Sequence, residues 1–291
     1  KDLYKTHILK EWKRYIVFMT RCHLHKGQIN DLLDFFKATP QRQAMLEHTT
    51  SFVEQTTRAF FYKDSTWDER IAIVKNHIEY MENIFNDEAI AKLYVNGERI
   101  RLWEDVYEEQ PVVMELWFHG GQRKEGCLSL VLSLGADELY QIMFWLAPSP
   151  EDNELSLWIG ALQGTPNGSE IIKGLTKAFF GYRTKNLIFY GIRNVAAGLG
   201  CKHLYAVSNA GYYAMNHVRR DRKLKTSLDD VWQECEGQVC KDQRFFEMPI
   251  EEYRKSMEEL KPSKRAQHRR RFAKMDEITE SVTEVLNNYK K

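Results

Sequence analysis

The sequence lacks the short glycine motifs that mark the common nucleotide-binding and hydrolase folds. Its 291 residues contain no Walker A loop, no Rossmann glycine fingerprint and no Gly-x-Ser-x-Gly elbow. A P-loop NTPase, a Rossmann dehydrogenase and a serine α/β-hydrolase are therefore disfavoured.

An excess of charge of one sign is also missing. Lysine and arginine total 42, aspartate and glutamate total 41, and the net charge is +1. Without a broad basic face, nucleic acid is not an expected partner. The apolar run Ile142–Ala147 is far shorter than a membrane span. We expect no integral membrane segment, and peripheral association with a membrane stays open.

Cysteine is scarce, with five residues at scattered positions. The odd count argues against a disulfide framework and favours a reducing compartment. Since no compact Cys/His set is present, we expect no metal site. The first 26 residues lack the apolar core of a signal peptide, which favours a cytoplasmic location.

The first ninety-odd residues have a helical pattern. Thr39 followed by Pro40 predicts a helix that runs to about Phe61. Thr66 and Glu69 have the spacing of a capping box, and the helix that follows has apolar residues three to four apart. Asn86 is expected to cap a further short helix.

The central part changes to a strand pattern. Turn-forming stretches separate four runs rich in β-branched, aromatic and leucine residues, and these short connections predict antiparallel neighbours. Two helices and a fifth strand follow, which predicts parallel pairing for that strand. The expected strands are Val112–His119, Cys127–Leu134, Glu138–Leu146, Glu154–Leu162 and His203–Ser208, and the helices are Ile171–Phe180 and Asn186–Leu199.

The C-terminal part is again helical, with one helix over Ile250–Leu260 and a second that Ser263 caps and that ends near Asn288. Together the patterns predict an α+β fold. A helical N-terminal region, 1–97, precedes a domain, 98–249, with a mixed, mostly antiparallel sheet between Val112 and Ser208. C-terminal helices, 250–291, flank this domain.

Two stretches are candidate anion sites. The loop from Gln163 to Ser169 links a strand to a helix, where backbone N–H groups suit a phosphate. A plain turn is the alternative. The basic start of the last helix is tolerated best with anionic partners, either external or the internal carboxylates of Glu251, Glu252, Glu258 and Glu259, and a solvated face is the alternative. The candidate ligand-binding residues are Gln163, Gly164, Gly168, Ser169, Lys177, Arg183, Lys185, Arg265, Arg269 and Arg270.

Polar residues also follow the last expected strand. Ser208, Asn209, Tyr212 and Tyr213 lie where a strand ends and a loop begins, a place where function concentrates. Ser208 and Asn209 are candidate ligand-binding residues, and Tyr212 and Tyr213 are candidate catalytic residues. A basic run, 217–225, comes next along the chain.

Several segments in this order resemble the VirK/YbjX family, the domain of unknown function numbered 535. They are Arg70–Phe85, Leu162–Gly164, Leu175–Leu187, Ala206–Asn209, Pro262–Ala266 and Arg269–Phe272. Two positions depart from the family pattern. Thr184 stands where proline is usual, and Ala210–Tyr213 replaces a stretch that usually carries histidine.

The resemblance implies a role in the envelope physiology of Gram-negative bacteria. That role comprises resistance to cationic antimicrobial peptides and surface display of a virulence protein. It implies no catalytic residue.

The order of strands, loop, helix and strand is also similar to the GNAT acyltransferase fold, in which the loop holds the pyrophosphate of acyl-coenzyme A. One hypothesis is therefore an acyltransferase that uses acyl-coenzyme A or another acyl-thioester donor, with Tyr212 or Tyr213 protonating the leaving thiolate. The alternative is a non-catalytic protein at the cytoplasmic face of the inner membrane that binds anionic lipid or a partner protein. The sequence does not set the oligomeric state.

Overall fold

A computed structural model describes residues 4–119, 124–165, 168–216 and 227–291. The N-terminal part is helical, as predicted. Its helices are α1 (Leu9–Leu24), α2 (Lys26–Lys37), α3 (Pro40–His48), α4 (Ser51–Thr57), α5 (Trp67–Ile84) and α6 (Asp87–Ile90), and a π-helical turn spans Ala91–Val95.

Eight strands form one sheet in the order β1-β2-β3-β4-β5-β6-β8-β7. All neighbours are antiparallel except β5 and β6, which pair in parallel from Ser156 opposite His203 to Ile159 opposite Ala206. The strands are β1 (Arg99–Tyr107), β2 (Gln110–Trp117), β3 (Leu128–Leu134), β4 (Asp137–Pro148), β5 (Leu155–Gly164), β6 (His203–Val207), β7 (Gln238–Val239) and β8 (Phe245–Met248).

The predicted mixed, mostly antiparallel sheet is confirmed, but its predicted limits are too narrow. Strand β1 lies before Val112, and β7 and β8 lie after Ser208. Strand β1 escaped prediction because its outward-facing residues are charged, as expected for a strand at the edge of a sheet.

Four helices follow the antiparallel strands: α7 (Ser169–Ala178), α8 (Thr184–Gly198), α9 (Leu228–Glu234) and α10 (Pro262–Tyr289). Helices α7 and α8 form the crossover between β5 and β6. Helix α5 packs on β4, α8 packs on β3 and β4, and α10 packs on α8 and β1. Among the described residues, no helix is both long and apolar enough to cross a membrane.

The helix predicted from Pro40 to about Phe61 is two helices. Thr49 has extended backbone angles and ends α3, and α4 begins at Ser51. The Thr49 hydroxyl accepts a hydrogen bond from the Ser51 backbone N–H at 3.1 Å. Because threonine favours such local bonds over helix continuation, the chain turns there.

The helix predicted over Ile250–Leu260 is also wrong, since this segment contains only bends and one turn. Its side chains bind elsewhere: Arg254 donates to Tyr190 on α8 at 2.8 Å and also pairs with Asp276 on α10. The cap of the last helix differs too. Lys261 occupies the N-cap position, and Pro262 takes the first helical position that proline tolerates.

The hydrophobic core draws on all three predicted segments. Leu32 and Met81 come from the N-terminal helices, Phe144 from the sheet and Leu286 from α10, and all four belong to one cluster of buried side chains. The division into 1–97, 98–249 and 250–291 stays a prediction.

A buried histidine joins α5 to the sheet. The Nδ1 atom of His77 accepts the backbone N–H of Leu146 at 3.1 Å, so the proton is on Nε2. That N–H donates to the Tyr94 hydroxyl at 2.7 Å. Burial lowers the pKa of His77 to about 3, so the ring is neutral. The contacts make His77 a structural residue that caps a free backbone group of β4.

Candidate functional site

A buried carboxyl group joins the ends of β5 and β6. One oxygen of Glu125 accepts the Tyr212 hydroxyl at 2.7 Å, and the other accepts the Gln163 amide at 2.8 Å. Gln163 lies near the end of β5 and Tyr212 lies in the segment after β6. The two strands stop pairing beyond Ile159 and Ala206, so the carboxyl group lies where they separate.

The backbone around Glu125 requires a glycine in β5. A bulge leaves Gly160 without a partner in β4. A Cβ atom at Gly160 would lie 1.8 Å from the backbone oxygen of Glu125. The N-terminal region is hydrogen-bonded to the residues next to Glu125 and Tyr212. The Phe61 N–H donates to the Lys124 carbonyl, and the Lys63 N–H donates to the Gly211 carbonyl.

Burial sets the protonation of this pair. It raises the pKa of Glu125, although hydrogen bonds from Tyr212 and Gln163 oppose the shift. Burial, and then the negative charge of Glu125, raise the pKa of Tyr212. The phenol therefore keeps its proton at neutral pH. The pKa of the Glu125 carboxyl group is therefore closer to neutral than that of an exposed glutamate, which suits a general base.

A second polar group continues the site across β4. The Gln141 amide nitrogen lies 2.6 Å from Nε2 of His119 and donates to the Ser129 hydroxyl at 2.8 Å. Gln141 is the direct partner of Gln163 across the β4–β5 pair. Burial lowers the pKa of His119. Polar side chains therefore run from His119 to Tyr212 along neighbouring strands.

The two predicted catalytic residues have different surroundings. Tyr212 is half-buried and donates to Glu125. Tyr213 is buried, and its ring lies edge-on to those of Tyr212 at 4.9 Å and Phe60 at 5.7 Å. Tyr212 is thus the tyrosine whose hydroxyl contacts the Glu125 carboxyl group, and the catalytic role of both tyrosines stays a prediction.

Ser208 and Asn209 lie beside this cluster but bind other parts of the chain. The Ser208 hydroxyl donates to the Gln243 carbonyl at 2.8 Å. The Asn209 amide donates to the Ser227 hydroxyl at 2.9 Å, and its oxygen accepts the Leu228 N–H at 2.7 Å. These contacts hold the start of α9 against the end of β6. Their predicted role in ligand binding stays a prediction.

The predicted anion loop is described at its two ends. Gly164 ends β5, and a Cβ there would lie 2.9 Å from the Tyr140 ring. Gly168 is the N-cap of α7 and Ser169 is the first helical residue, and no side chain caps this end. Residues 166 and 167 lie outside the described part of the chain, as does the basic run 217–225.

Three of the predicted anion ligands lie around the α7–α8 connection. Arg183 binds the Glu234 carboxylate at 2.7 Å, and Lys185 pairs with the same group. Lys177 is exposed in the last turn of α7. Arg183 and Lys185 therefore already share an internal carboxylate partner.

The basic start of α10 is largely exposed. Arg265 donates to the Leu260 carbonyl at 3.2 Å. Arg269 and Arg270 are exposed and form no ion pair within the described residues. Of the carboxylates proposed as internal partners, Glu252 pairs with Arg193 and Glu259 accepts the Tyr253 hydroxyl. Arg269 and Arg270 therefore lie on a solvated face, and their predicted role in ligand binding stays a prediction.

The described residues contain no group of three or more His, Cys, Asp or Glu side chains that could hold a metal ion. Sequence reasoning missed Glu125, His119 and Gln141. Glu125 stands in a turn-like stretch, and its partners are 38 and 87 residues away along the chain. No local pattern reports contacts over such separations.

Comparisons with known proteins find relatives of unassigned activity. The model of the family described as "Protein of unknown function (DUF535)" matches residues 7–284. An uncharacterized protein of Haemophilus influenzae is 21% identical over 269 residues, which cover 90% of this chain and 87% of that protein. The uncharacterized protein YbjX of Escherichia coli is 31% identical over 129 residues, or 42% of this chain and 38% of that protein. No solved structure matches the chain.

Proposed function

The chain belongs to the DUF535 family, and we propose that it is an acyltransferase whose reaction takes place where β5 and β6 separate. The observation that carries the proposal is the Glu125 carboxyl group, held between Gln163 and Tyr212. A buried base in direct contact with a tyrosine acid provides both proton transfers that acyl transfer needs.

The arrangement of elements supports this reading. Five antiparallel strands, a loop, two helices and a parallel strand follow one another, and this order resembles the GNAT acyltransferase fold. In that fold the loop binds the pyrophosphate of acyl-coenzyme A. The corresponding loop begins at Gly164 and ends at Gly168, where α7 presents backbone N–H groups without a side-chain cap. Fold resemblance alone does not fix the donor.

In the proposed reaction, an amine or hydroxyl acceptor attacks the thioester carbonyl carbon of the donor. Glu125 takes the proton of the acceptor, and Tyr212 gives its proton to the departing thiolate. The C–S bond breaks as the new C–N or C–O bond forms, and the donor leaves as a free thiol. Because Tyr212 and Glu125 lie 2.7 Å apart, the proton on Glu125 can return to the tyrosinate.

Thiol release from acetyl-coenzyme A, measured with a panel of amines and alcohols, tests the proposal. We expect Tyr212→Phe to lower kcat about a hundredfold or more while the donor KM changes little. Glu125→Gln should do the same. In the unaltered protein, kcat/KM should rise with pH through a range above that of an ordinary glutamate, because burial raises the pKa of Glu125.

Tyr253→Phe is the matched control, since the Tyr253 hydroxyl binds Glu259 at 2.8 Å on the surface. It should leave kcat unchanged. An acyl carrier protein loaded with an acyl group extends the test to another thioester donor. If neither donor raises the melting temperature or releases thiol, the acyltransferase proposal is wrong.

The role in envelope physiology belongs to this proposal. The relatives described above come from Haemophilus influenzae and Escherichia coli, both Gram-negative bacteria. An acyl acceptor at the cytoplasmic face of the inner membrane would connect the reaction to antimicrobial-peptide resistance and to display of a virulence protein.

A second candidate function, docking to an anionic membrane surface, is favoured by α1. Leu9, Trp12 and Ile16 lie on one face of this helix and are 69%, 48% and 42% exposed. Lys10 and Lys13 flank that face. An exposed apolar stripe with tryptophan and neighbouring lysines is typical of helices that lie in a membrane interface.

Sedimentation with vesicles of phosphatidylglycerol and phosphatidylethanolamine tests this candidate. We expect Leu9→Glu to reduce binding several-fold, and added salt to weaken binding of the unaltered protein. Val106→Glu is the matched control, because Val106 is 66% exposed on β1. Equal loss in both variants, or no binding by the unaltered protein, would contradict docking through α1.

A further inference from the structure

A basic pocket lies between α1 and the end of α4. Its volume is about 380 Å³, which is within the range of pockets that hold small molecules. Lys13, Arg14 and Arg21 line it from α1, and Arg58 lines it from the position that ends α4. The other described residues that line it are apolar, so none of the described lining residues carries a negative charge.

The spacing of residues in α1 places the cations along one wall of this pocket. Lys13 and Val17 are about one helical turn apart, and Arg14 and Arg21 are about two turns apart, so their side chains share a face of the helix. Val17 and Phe60 add apolar surface beside the cations. The pocket therefore offers positive charge and apolar contact together.

Internal carboxylates offset two of the four positive charges. Arg14 pairs with Glu11 on the same helix. The Nε atom of Arg58 lies 3.5 Å from the carboxylate of Glu54, which also accepts the Tyr4 hydroxyl at 2.7 Å. These contacts hold Arg14 and Arg58 in place at the pocket.

The other two cations have no carboxylate partner within the described residues. Arg21 donates a hydrogen bond to the Thr57 carbonyl at 3.1 Å. This contact holds the guanidinium at the end of α4 and uses one of its nitrogen atoms, Nη1. Since a guanidinium has five N–H donors, donors of Arg21 are left for a ligand. Lys13 is exposed and forms no ion pair with a described residue.

The arginines at this place are close enough to repel one another. Burial, and then the positive charge of Arg58, lower the pKa of Arg21. Burial, and then the positive charge of Arg21, lower the pKa of Arg70 to about 10. A bound anion relieves such repulsion, and a concave site concentrates the field of its charges.

We propose that this pocket binds a phosphate group carried by a small organic molecule, with Arg21 and Lys13 as its cationic contacts. Guanidinium and ammonium groups are the side chains that bind phosphate in proteins. A phosphate monoester carries close to two negative charges at neutral pH, which matches the two cations without a carboxylate partner. Val17 and Phe60 pack against the organic part.

A soluble phosphate ester and the headgroup of a phospholipid both present this group. Neither the proposed acyl transfer nor docking of α1 to a membrane is needed for the binding. The pocket shares no residue with the Glu125 cluster, and a soluble ester reaches it without a membrane.

Calorimetric titration of the full chain with glycerol 3-phosphate at low ionic strength tests the proposal, with glycerol as the uncharged comparison. Glycerol 3-phosphate should bind saturably, and glycerol should not. Arg21→Gln removes one unpaired charge, so we expect about tenfold weaker binding. Arg21→Lys keeps the charge and should recover part of the affinity. Lys13→Gln, at an exposed position, should weaken binding about threefold and leave the melting temperature unchanged.

Lys37→Gln is the matched control for charge, because Lys37 is exposed on α2 and does not line the pocket. Its affinity should stay within twofold of that of the unaltered protein. Sedimentation with phosphatidylglycerol vesicles separates the two sources of the phosphate group. If Arg21→Gln weakens vesicle binding and glycerol 3-phosphate does not bind, the pocket holds a lipid headgroup. If glycerol 3-phosphate binds and Arg21→Gln weakens that binding, it holds a soluble ester.

The proposal is overturned if neither glycerol 3-phosphate at millimolar concentration nor the vesicles bind, or if glycerol binds as tightly as its phosphate. It is also overturned if Arg21→Gln and Lys13→Gln, with unchanged melting temperatures, bind like the unaltered protein. Equal loss in Lys37→Gln and Lys13→Gln also contradicts it, because binding then follows the overall charge of the chain.

Discussion

At the scale of single residues, His77 connects chain segments that are far apart in sequence. Its ring is fully buried, and both nitrogen atoms have hydrogen-bond partners, the Leu146 N–H and the Tyr94 hydroxyl. Because Nδ1 accepts the Leu146 N–H, a second proton on the ring would break this hydrogen bond, and the folded ring stays neutral. The same contacts explain why a histidine in the middle of a helix is a structural residue here.

This burial predicts a pH dependence of stability. The pKa of His77 falls from 6.5 to about 3 on folding. Below pH 6.5, His77 therefore binds a proton in the unfolded chain but not in the folded chain. The contribution to stability is complete above pH 6.5 and is lost as the pH falls toward 3, by up to about 1.4 kcal/mol per pH unit.

Urea unfolding between pH 4.5 and 7.5 checks this prediction. His77→Leu should lower the free energy of unfolding at pH 7.5 by about 2–6 kcal/mol, because two buried groups lose their partner. The difference between this variant and the unaltered protein should shrink toward acidic pH. His7→Leu, at an exposed position, should show no such trend. A constant difference across the range would refute the account.

Local signals in the sequence identified residues whose partners are near in the chain. The Thr66–Glu69 capping box and the Asn86 cap are confirmed, and each spans three residues. Gln163 and Tyr212 were singled out because they follow strands. Glu125, which joins them, was missed because only the folded sheet brings these segments together.

At the scale of elements, runs of apolar residues predicted the inner strands. The edge strand β1 was not predicted because charged residues interrupt its apolar pattern. Strand β3 is buried at every position, so its pattern is unmistakable. Strand β1 alternates arginine and acidic residues with apolar ones, and β7 has two residues. The parallel pairing of β5 and β6 was predictable because a helical crossover of this length leaves few other arrangements.

The bulge in β5 gives a prediction at this scale. In Gly160→Ala the new Cβ would lie 1.8 Å from the Glu125 carbonyl oxygen, so backbone must move. We expect the free energy of unfolding to fall by about 3 kcal/mol or more. Because the same shift displaces the Glu125 carboxyl group, the Glu125–Tyr212 hydrogen bond should also weaken.

Gly27→Ala is the comparison variant, since a Cβ at Gly27 in α2 meets no atom within 4 Å. It should raise the free energy of unfolding by up to about 1 kcal/mol, because alanine favours the helix. Urea unfolding of both variants is the measurement. Equal stability of the two alanine variants would show that the β5 backbone is free to move away from Glu125.

At the scale of the whole molecule, the C-terminal end of the chain contacts the last part of the N-terminal helical region. The Asn86 N–H donates to the Tyr289 carbonyl at 2.8 Å, and the Lys291 N–H donates to the Ile84 carbonyl. The Ser281 hydroxyl donates to the Leu102 carbonyl at 2.8 Å. The last helix thus binds both the N-terminal helices and the first strand. Such contacts across the segment boundaries were not visible in sequence, where changes between helical and strand patterns suggested three parts.

A shared core predicts cooperative unfolding of all three segments. Leu286 on α10 and Met81 on α5 are fully buried in the same cluster. We expect Leu286→Ala and Met81→Ala each to lower the free energy of unfolding by about 2–5 kcal/mol. Each variant should unfold in a single transition, because loss of packing in either segment destabilises the other. Far-ultraviolet circular dichroism and tryptophan fluorescence should report the same transition. Two separated transitions in either variant would instead mean that 1–97 or 250–291 unfolds apart from the sheet.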